Sequence, residues 1–448
     1  MQRQQARHTF AVALIGAITF GTPPLAHADD KRPTPDYDGR GNPDADADSW
    51  ALWIPRALLA PAYLVHEYAI RRPLGALVTH AERSRWISEI HDLITFGSRE
   101  QYMVIPTAFY DFGLSPSVGA RFSATGVFAP GNDLSARAAT WGTNWLVASL
   151  GDHYQWSDKT SLATRIGFSR RPDYLYMGIG PDVRKSDRSR YGLQKLEAGS
   201  TFTHTTGDAQ LVVQAGARRV SVRAGSGSSG DPLLDDQIRD QMIAAPAGYD
   251  APYTALYQRV ALTLDSRSSQ PRPGTGARLA VYGESDFDVT SARRWTKYGA
   301  SLGGAIDVNG HDRTLKLQLA ADFVDPFHHD MSRAVPFTEL ATLGGDSMQG
   351  FVGGWMRGRS TVMAELAYTW PVWFMLDGTI HVSAGNAFDG HLAGFAPDRL
   401  RLSTDIGIAM IGNKDSGLEI LVGLGTETIE QGGHINSFRF AFGTRRGF

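Results

Sequence analysis

The chain has 448 residues, a formal net charge of −2, 42% hydrophobic residues and no cysteine. Near-neutral charge excludes a nucleic-acid binder that works through bulk positive charge, and the lack of cysteine excludes disulfides and thiol chemistry. Past the first 28 residues no stretch approaches the ~20 apolar residues of a membrane helix, a test that membrane β-barrels evade because their lipid-facing and lumen-facing residues alternate and cancel.

In chain order, residues 1–28 read as a secretory signal peptide. Arg3 and Arg7 supply the positive start, Phe10 to Phe20 a short apolar run, and Ala26-His27-Ala28 a small-x-small cleavage site. Residues 29–52 form an acidic, turn-rich linker with almost nothing to bury, so they are expected to be disordered. Residues 53–98 carry Leu and Ile at helical spacing, with Pro55 and Pro73 placed as helix starts. They read as short periplasmic helices that plug or cap the rest. Arg71, Arg72, Arg83 and Arg85 leave a partner-binding or membrane-surface helix open.

From residue 99 to 448 the pattern is strand and turn. Leu315, Leu317, Leu319, Ala321 and Phe323 alternate with Lys316, Gln318, Ala320 and Asp322. Similar runs occupy Val260–Leu264, Val362–Trp370, Leu402–Met410 and Leu418–Leu424. Turn clusters at Pro172-Asp173, 225–230, 270–276, Asn309-Gly310 and 413–417 separate them. The second faces hold charges of both signs (Arg278, Glu284, Lys316, Asp322, Glu365, Asp405, Arg439), which suits a wet lumen and not a dry core. Turns come in two sizes, as periplasmic turns and extracellular loops do. Roughly 350 residues at about 22 per strand and connection give about 16 strands. The fold expected is therefore all-β, an antiparallel transmembrane barrel of about 16 strands in the bacterial outer membrane, contacting lipid and lipopolysaccharide. Trp141, Trp145, Trp156, Trp295, Trp370 and Trp373 read as aromatic-belt residues.

Two local features stand out. The glycine-rich stretch from Leu343 holds two near-copies of one tetrapeptide, Met348-Gln349-Gly350-Phe351 and Met356-Arg357-Gly358-Arg359. It reads as a long loop that tucks into the barrel, since glycine lets a chain fold back where bulkier residues clash. At the C-terminus, Phe438, Phe440, Phe442 and Phe448 share one face of a final strand, opposite Arg439, Ala441 and Gly443. A terminal phenylalanine resembles the signal that outer-membrane barrels present to the assembly machinery.

Catalytic and metal patterns are weak. His328-His329-Asp330 lacks ligand spacing, so no metal or cofactor is expected. His381 and Ser383 share the lumen face, but no third orienting carboxylate is placed by sequence. The protein is expected not to be an enzyme.

Several segments resemble the bacterial surface antigen family, the BamA/TamA-type outer-membrane barrels. Leu343-Gly344-Gly345 with Gly350-Phe351 resembles the tip of that family's inward loop. Glu365-Leu366-Ala367-Tyr368-Thr369-Trp370-Pro371 and Gly385-Asn386-Ala387-Phe388 resemble its two following strands. Leu264-Asp265-Ser266-Arg267 with Pro273 and Gly276 resembles its Asp-x-Arg turn, and Tyr174 with Gly178 and Gly180 a Tyr-x-Gly-x-Gly segment. The resemblance implies an inward loop whose tip arginine meets a lumen carboxylate. Here those positions are Gln349 and Ser383. Either Gln349 hydrogen-bonds Ser383, or Arg357 anchors the loop with Glu365 as partner. The family's periplasmic POTRA domains have no counterpart in residues 29–100, so the resemblance is to a barrel-only member. It implies protein insertion or translocation, with unfolded outer-membrane proteins or lipids as clients. A passive or gated channel, or a structural barrel, is the alternative. Insertion requires a weakly paired seam between first and last strands, and a channel a fully paired one.

Overall fold

The computed structural model describes Tyr68 and residues 92–446, apart from 112–113, 227–229, 268–273, 309–312, 328–333, 374–375 and 411–415. The signal segment, the acidic linker, nearly all of the helical stretch, His328-His329-Asp330 and Phe448 lie outside the described residues.

The chain forms nineteen strands: β1 (Thr95–Phe96), β2 (Tyr102–Asp111), β3 (Ser117–Thr125), β4 (Asn132–Thr140), β5 (Leu146–Ser157), β6 (Thr160–Tyr176), β7 (Ser189–Thr206), β8 (Ala209–Arg223), β9 (Tyr253–Asp265), β10 (Gly276–Asp288), β11 (Arg294–Asp307), β12 (Thr314–Pro326), β13 (Ala341–Leu343), β14 (Met356–Gly358), β15 (Ser360–Trp373), β16 (Leu376–Phe388), β17 (Arg401–Met410), β18 (Ser416–Thr428) and β19 (Ile435–Arg446). Strands β2–β12 and β15–β19 pair antiparallel in chain order, and β19 meets β2, which closes a 16-stranded barrel. Strand β1 is an extra edge piece on β2, and β13 and β14 pair only with each other. Thus Thr95–Phe96, at the end of the stretch read as helical, is strand.

The alternation explains the closure. On β15 and β16 the odd positions, including Glu365, His381 and Ser383, are buried toward the lumen, while Leu366 and Val382 face out. The same outward exposure recurs at Leu317, Leu319, Ile406, Ile420 and Val422, apolar side chains that only a lipid surround would cover. Phe438, Phe440 and Phe442 stand on the outward face of β19, with Ser437, Arg439 and Ala441 inside. Connections at one end are short (158–159, 207–208) and at the other long (224–252, 327–359).

Some expected details differ. Pro172-Asp173 is not a turn but an irregularity inside β6, where the register to β7 slips between Arg171 and Tyr174. A proline without an N–H interrupts the ladder and a bulge absorbs it. Trp141 and Trp156 are exposed, as a belt requires. Trp145 and Trp295 are buried instead. Trp295 opposes the lumen-facing Asp286 and packs edge-on against Tyr253, and Arg171 stacks over Trp145.

The interior is filled by the segment between β12 and β15. Its Leu343, Met348, Phe351, Val352, Trp355 and Met356 form one apolar cluster with Leu175, Met177, Val183, Met363 and Ala387. The loop after β8, with its one-and-a-half-turn helix α1 (Leu234–Arg239), adds Leu234 and Ile238 to a second cluster around Phe337 and Tyr191. The inward loop is therefore the core of the molecule, and the barrel is its shell.

Candidate functional site

The seam between the first and last barrel strands is the thinnest part of the wall. Strand β18 pairs with β19 along nearly all of its length, from Ser416–Arg446 to Thr426–Ile435. Among the described residues, β19 pairs with β2 only at Ala441–Asp111 and Phe442–Tyr110. Gly443–Arg446 would continue that register against Pro106–Phe109, and they do not pair. Pro106 has no N–H to give. Gly443 lacks the side chain that would stiffen a strand, and the Phe109 ring lies where its Cβ would be, 2.8 Å away. At its other end the same edge of β2 is taken by β1, through Thr95–Met103 and Phe96–Tyr102. Residues 104–109 of β2 are left as an edge paired on one side only.

A charge clamp crosses the seam. Arg439 of β19 donates from Nε and Nη2 to the two carboxylate oxygens of Asp111 at the end of β2, each at 2.8 Å. Both side chains are buried. The third nitrogen, Nη1, donates to the carbonyls of Gly345 (2.8 Å) and Gln349 (3.3 Å) at the tip of the inward loop. One guanidinium thus ties together the last strand, the first strand and the loop. Adjacent register partners alternate between hydrogen-bonded and non-hydrogen-bonded pairs, so two of them leave the ladder very short here. Stripping one partner from a buried ion pair costs about 3–5 kcal/mol. The clamp thus adds a side-chain hold to a seam whose ladder is only two register partners long.

The rest of the tip is seated on β17–β19. The Gly350 N–H donates to Ser403 Oγ (2.7 Å), and Ser437 Oγ donates to the Gly350 carbonyl (2.7 Å). Gly344 and Gly345 take positive φ values of 107° and 70°, which close the turn that lets the Gly345 N–H reach the Phe351 carbonyl at 2.8 Å. Phe351 lies over Gly425, where a Cβ would meet its ring at 2.4 Å. At Gly350 the requirement is absolute closeness, because a Cβ there would stand 1.9 Å from the Leu424 carbonyl oxygen. Gly350→Ala is therefore expected to unseat the tip and to cost about 1–3 kcal/mol. Protease cleavage within 340–358, slow in the parent and fast in the variant, would report it. Equal protection would contradict this seating.

The base of the loop has its own anchor. Glu339 receives Lys297 Nζ at 2.5 Å, Tyr253 Oη at 2.6 Å and Arg218 Nη2 at 3.1 Å. Glu284 and Asp286 also meet Arg218 and Lys297. Burial works to raise the Glu339 carboxyl, but Lys297 and Arg218 override it and hold the group below the usual range. Its contribution is therefore fully present above the unfolded value, about 4.3, and fades as pH falls through the lower folded value. The loop base is expected to become protease-sensitive only below about pH 4. In Glu339→Gln it should be sensitive at neutral pH too, and an unchanged pH profile would contradict the assignment.

The expected pairings around the loop are corrected. Gln349 does not meet Ser383. Its Nε2 faces Glu419 Oε2 of β18 at 3.4 Å, and Ser383 Oγ, on β16, is buried without a hydrogen bond. Arg357 does not meet Glu365 either. Within β14 it donates to the Phe337 carbonyl (2.5 Å) and the Tyr191 hydroxyl (3.4 Å), and stacks over Phe337. Gly358 beside it is pressed against the Phe388 backbone. The two tetrapeptide copies have different work: the first is the seated tip, the second braces the loop stem. His381 does have a carboxylate, with Nδ1 2.6 Å from Asp405 Oδ1, but Ser383 makes no hydrogen bond to it. Arg439, Ser403, Glu419 and Ser437, which touch the loop, and Asp111, which holds Arg439, are residues that the sequence does not single out. Only the inward parity of Arg439 points that way.

No family model and no curated protein matches the sequence. Solved structures do. BamA from Haemophilus ducreyi, lacking POTRA domains 1–3, superposes with a TM-score of 0.55 at 16% identity, over 77% of this chain and 70% of that one. The chain has the BamA barrel fold. CdiB from Acinetobacter baumannii matches at 12% identity and a TM-score of 0.46, over 77% of this chain and 59% of that one. CdiB from Escherichia coli matches at 12% and 0.48, over 76% and 62%. The chain thus spans about six-tenths of the CdiB chains. The thin seam and the seated inward loop belong to this BamA-type barrel itself.

Proposed function

We propose that the chain is an outer-membrane barrel that helps unfolded outer-membrane proteins enter the lipid, without catalytic chemistry of its own. The observation that supports this reading is the seam. A strand edge at residues 104–109 presents unpaired N–H and C=O groups, and such an edge templates the pairing of another strand. In hydrocarbon, an unpaired backbone group is worth several kcal/mol to satisfy, so an incoming strand gains most there. The Arg439 clamp closes the seam at the Asp111 end of β2, and the loop tip sits beside it. A passive channel, the other reading, has no use for a seam this thinly paired.

The test places the full chain in liposomes and follows the folding rate of an added, unfolded small outer-membrane protein. An unrelated porin and the Gln349→Ala variant run beside it. Acceleration above the porin control, reduced in the variant, is expected. A rate equal to the porin's would overturn the proposal.

A further inference from the structure

On the wall away from the loop tip, three arginines stand together on the lumen face. Arg121 of β3 stands directly opposite Arg137 of β4. Register carries this face across: Arg137 opposes Ser149, Ser149 opposes Gly167, and Arg165 lies two residues from Gly167 on β6. The face is the inner one, since Ile105, opposite Arg121, shares the parity of Asp111 on β2. Like charges directly opposite in a sheet destabilise it. Both Arg121 and Arg165 lie close enough to Arg137 to repel its charge. Yet among the described residues none of the three makes an ion pair or a side-chain hydrogen bond. On the neighbouring part of this lumen Arg218, Arg259 and Lys297 are matched by Glu284.

The surroundings leave room. Ser123, Ser135 and Ser149 offer hydroxyls, and Gly151 and Gly167 present no side chain. The Arg165 side chain passes over those glycines, with Nε 3.9 Å from where a Gly167 Cβ would stand. Arg137 and Arg165 lie two strands apart, about 10 Å across the sheet, so their guanidiniums can converge on one ligand. Arg165 also lines a cavity of about 420 Å³ whose two acids, Glu197 and Glu284, are already engaged by Lys195 and by Arg218 and Arg259.

We propose that Arg121, Arg137 and Arg165 form a binding site for a multiply charged phosphate-type anion. Planar guanidinium forks match phosphate oxygens two at a time, and a dianion or higher converts a mutual repulsion into shared attraction. The same chemistry is offered by a free phosphate compound and by a lipid phosphomonoester headgroup. Neither the seam nor its proposed client enters this inference.

Calorimetric titration of the full chain in zwitterionic micelles with pyrophosphate tests it, against sulfate-free chloride at matched ionic strength. The parent is expected to bind, and Arg121→Gln/Arg137→Gln to bind about tenfold or more weakly. That variant should fold at least as well, because it removes a like-charge pair. Arg239→Gln, at an exposed side chain of helix α1, should bind as the parent does. No binding by the parent, or equal binding by the double variant, would overturn the site. Competition by vesicles carrying a lipid phosphomonoester would assign the headgroup as its occupant. Competition by soluble phosphates alone would assign a free anion.

Discussion

Arg439→Ala is expected to lower the unfolding free energy of the barrel by about 3–5 kcal/mol, the cost of stranding a buried charge. The reason lies in what the guanidinium holds. Asp111 would keep its carboxylate buried at the seam with no cation, and the carbonyls of Gly345 and Gln349 would lose their donor. Arg439→Lys should fall between, since a lysine supplies the charge but not the fork. Because Asp111 and Arg439 act as one unit, the double alanine variant should cost clearly less than the sum of the two single ones. Urea unfolding in micelles, followed by tryptophan fluorescence, measures all four. A loss below about 1 kcal/mol for Arg439→Ala would mean that the seam is held by its backbone after all.

The second large effect comes from closing the seam covalently. The chain has no cysteine, so Tyr110→Cys with Phe442→Cys introduces a single possible disulfide. These residues are direct partners across the seam, and partners in an antiparallel pair lie within the Cα separation a disulfide accepts. The bond would join positions near the two ends of the barrel sequence. Loop-closure reasoning gives such a link about 5 kcal/mol of stabilisation, less any strain. The oxidised barrel should therefore resist urea and heat well beyond the reduced one, with dithiothreitol reversing the difference. Equal resistance in both states would mean that unfolding does not begin at the seam.

Much of the shell can be read from the sequence, because a barrel wall faces two solvents and the chain must alternate between them. Leu317 and Leu319 facing out and Asp405 and Arg439 facing in follow from parity alone. The count of 16 follows from strand spacing, and the inward loop from its glycines. Which strands the loop tip touches does not follow. Parity places a residue on a face but says nothing of the position around the barrel. Family resemblance points Gln349 at β16, whereas its carboxylate is Glu419, on β18. The clamp is hidden for the same reason: Asp111 and Arg439 are 328 residues apart and meet only because the barrel closes. Trp295 misleads because a belt tryptophan and a lumen tryptophan differ by one position in the alternation. Arg357 misleads because its partners are a backbone carbonyl and a tyrosine hydroxyl, which no charge pattern announces.

The liposome assay with the Tyr110→Cys/Phe442→Cys barrel tests most directly whether the seam is the working part. The same sample is measured oxidised and then reduced, with an unfolded small outer-membrane protein added each time. Folding of the added protein should run at the porin-control rate when the seam is locked and speed up when dithiothreitol opens it. Equal acceleration in both states would show that the barrel assists, if at all, without parting β2 from β19, and would contradict a working role for the seam.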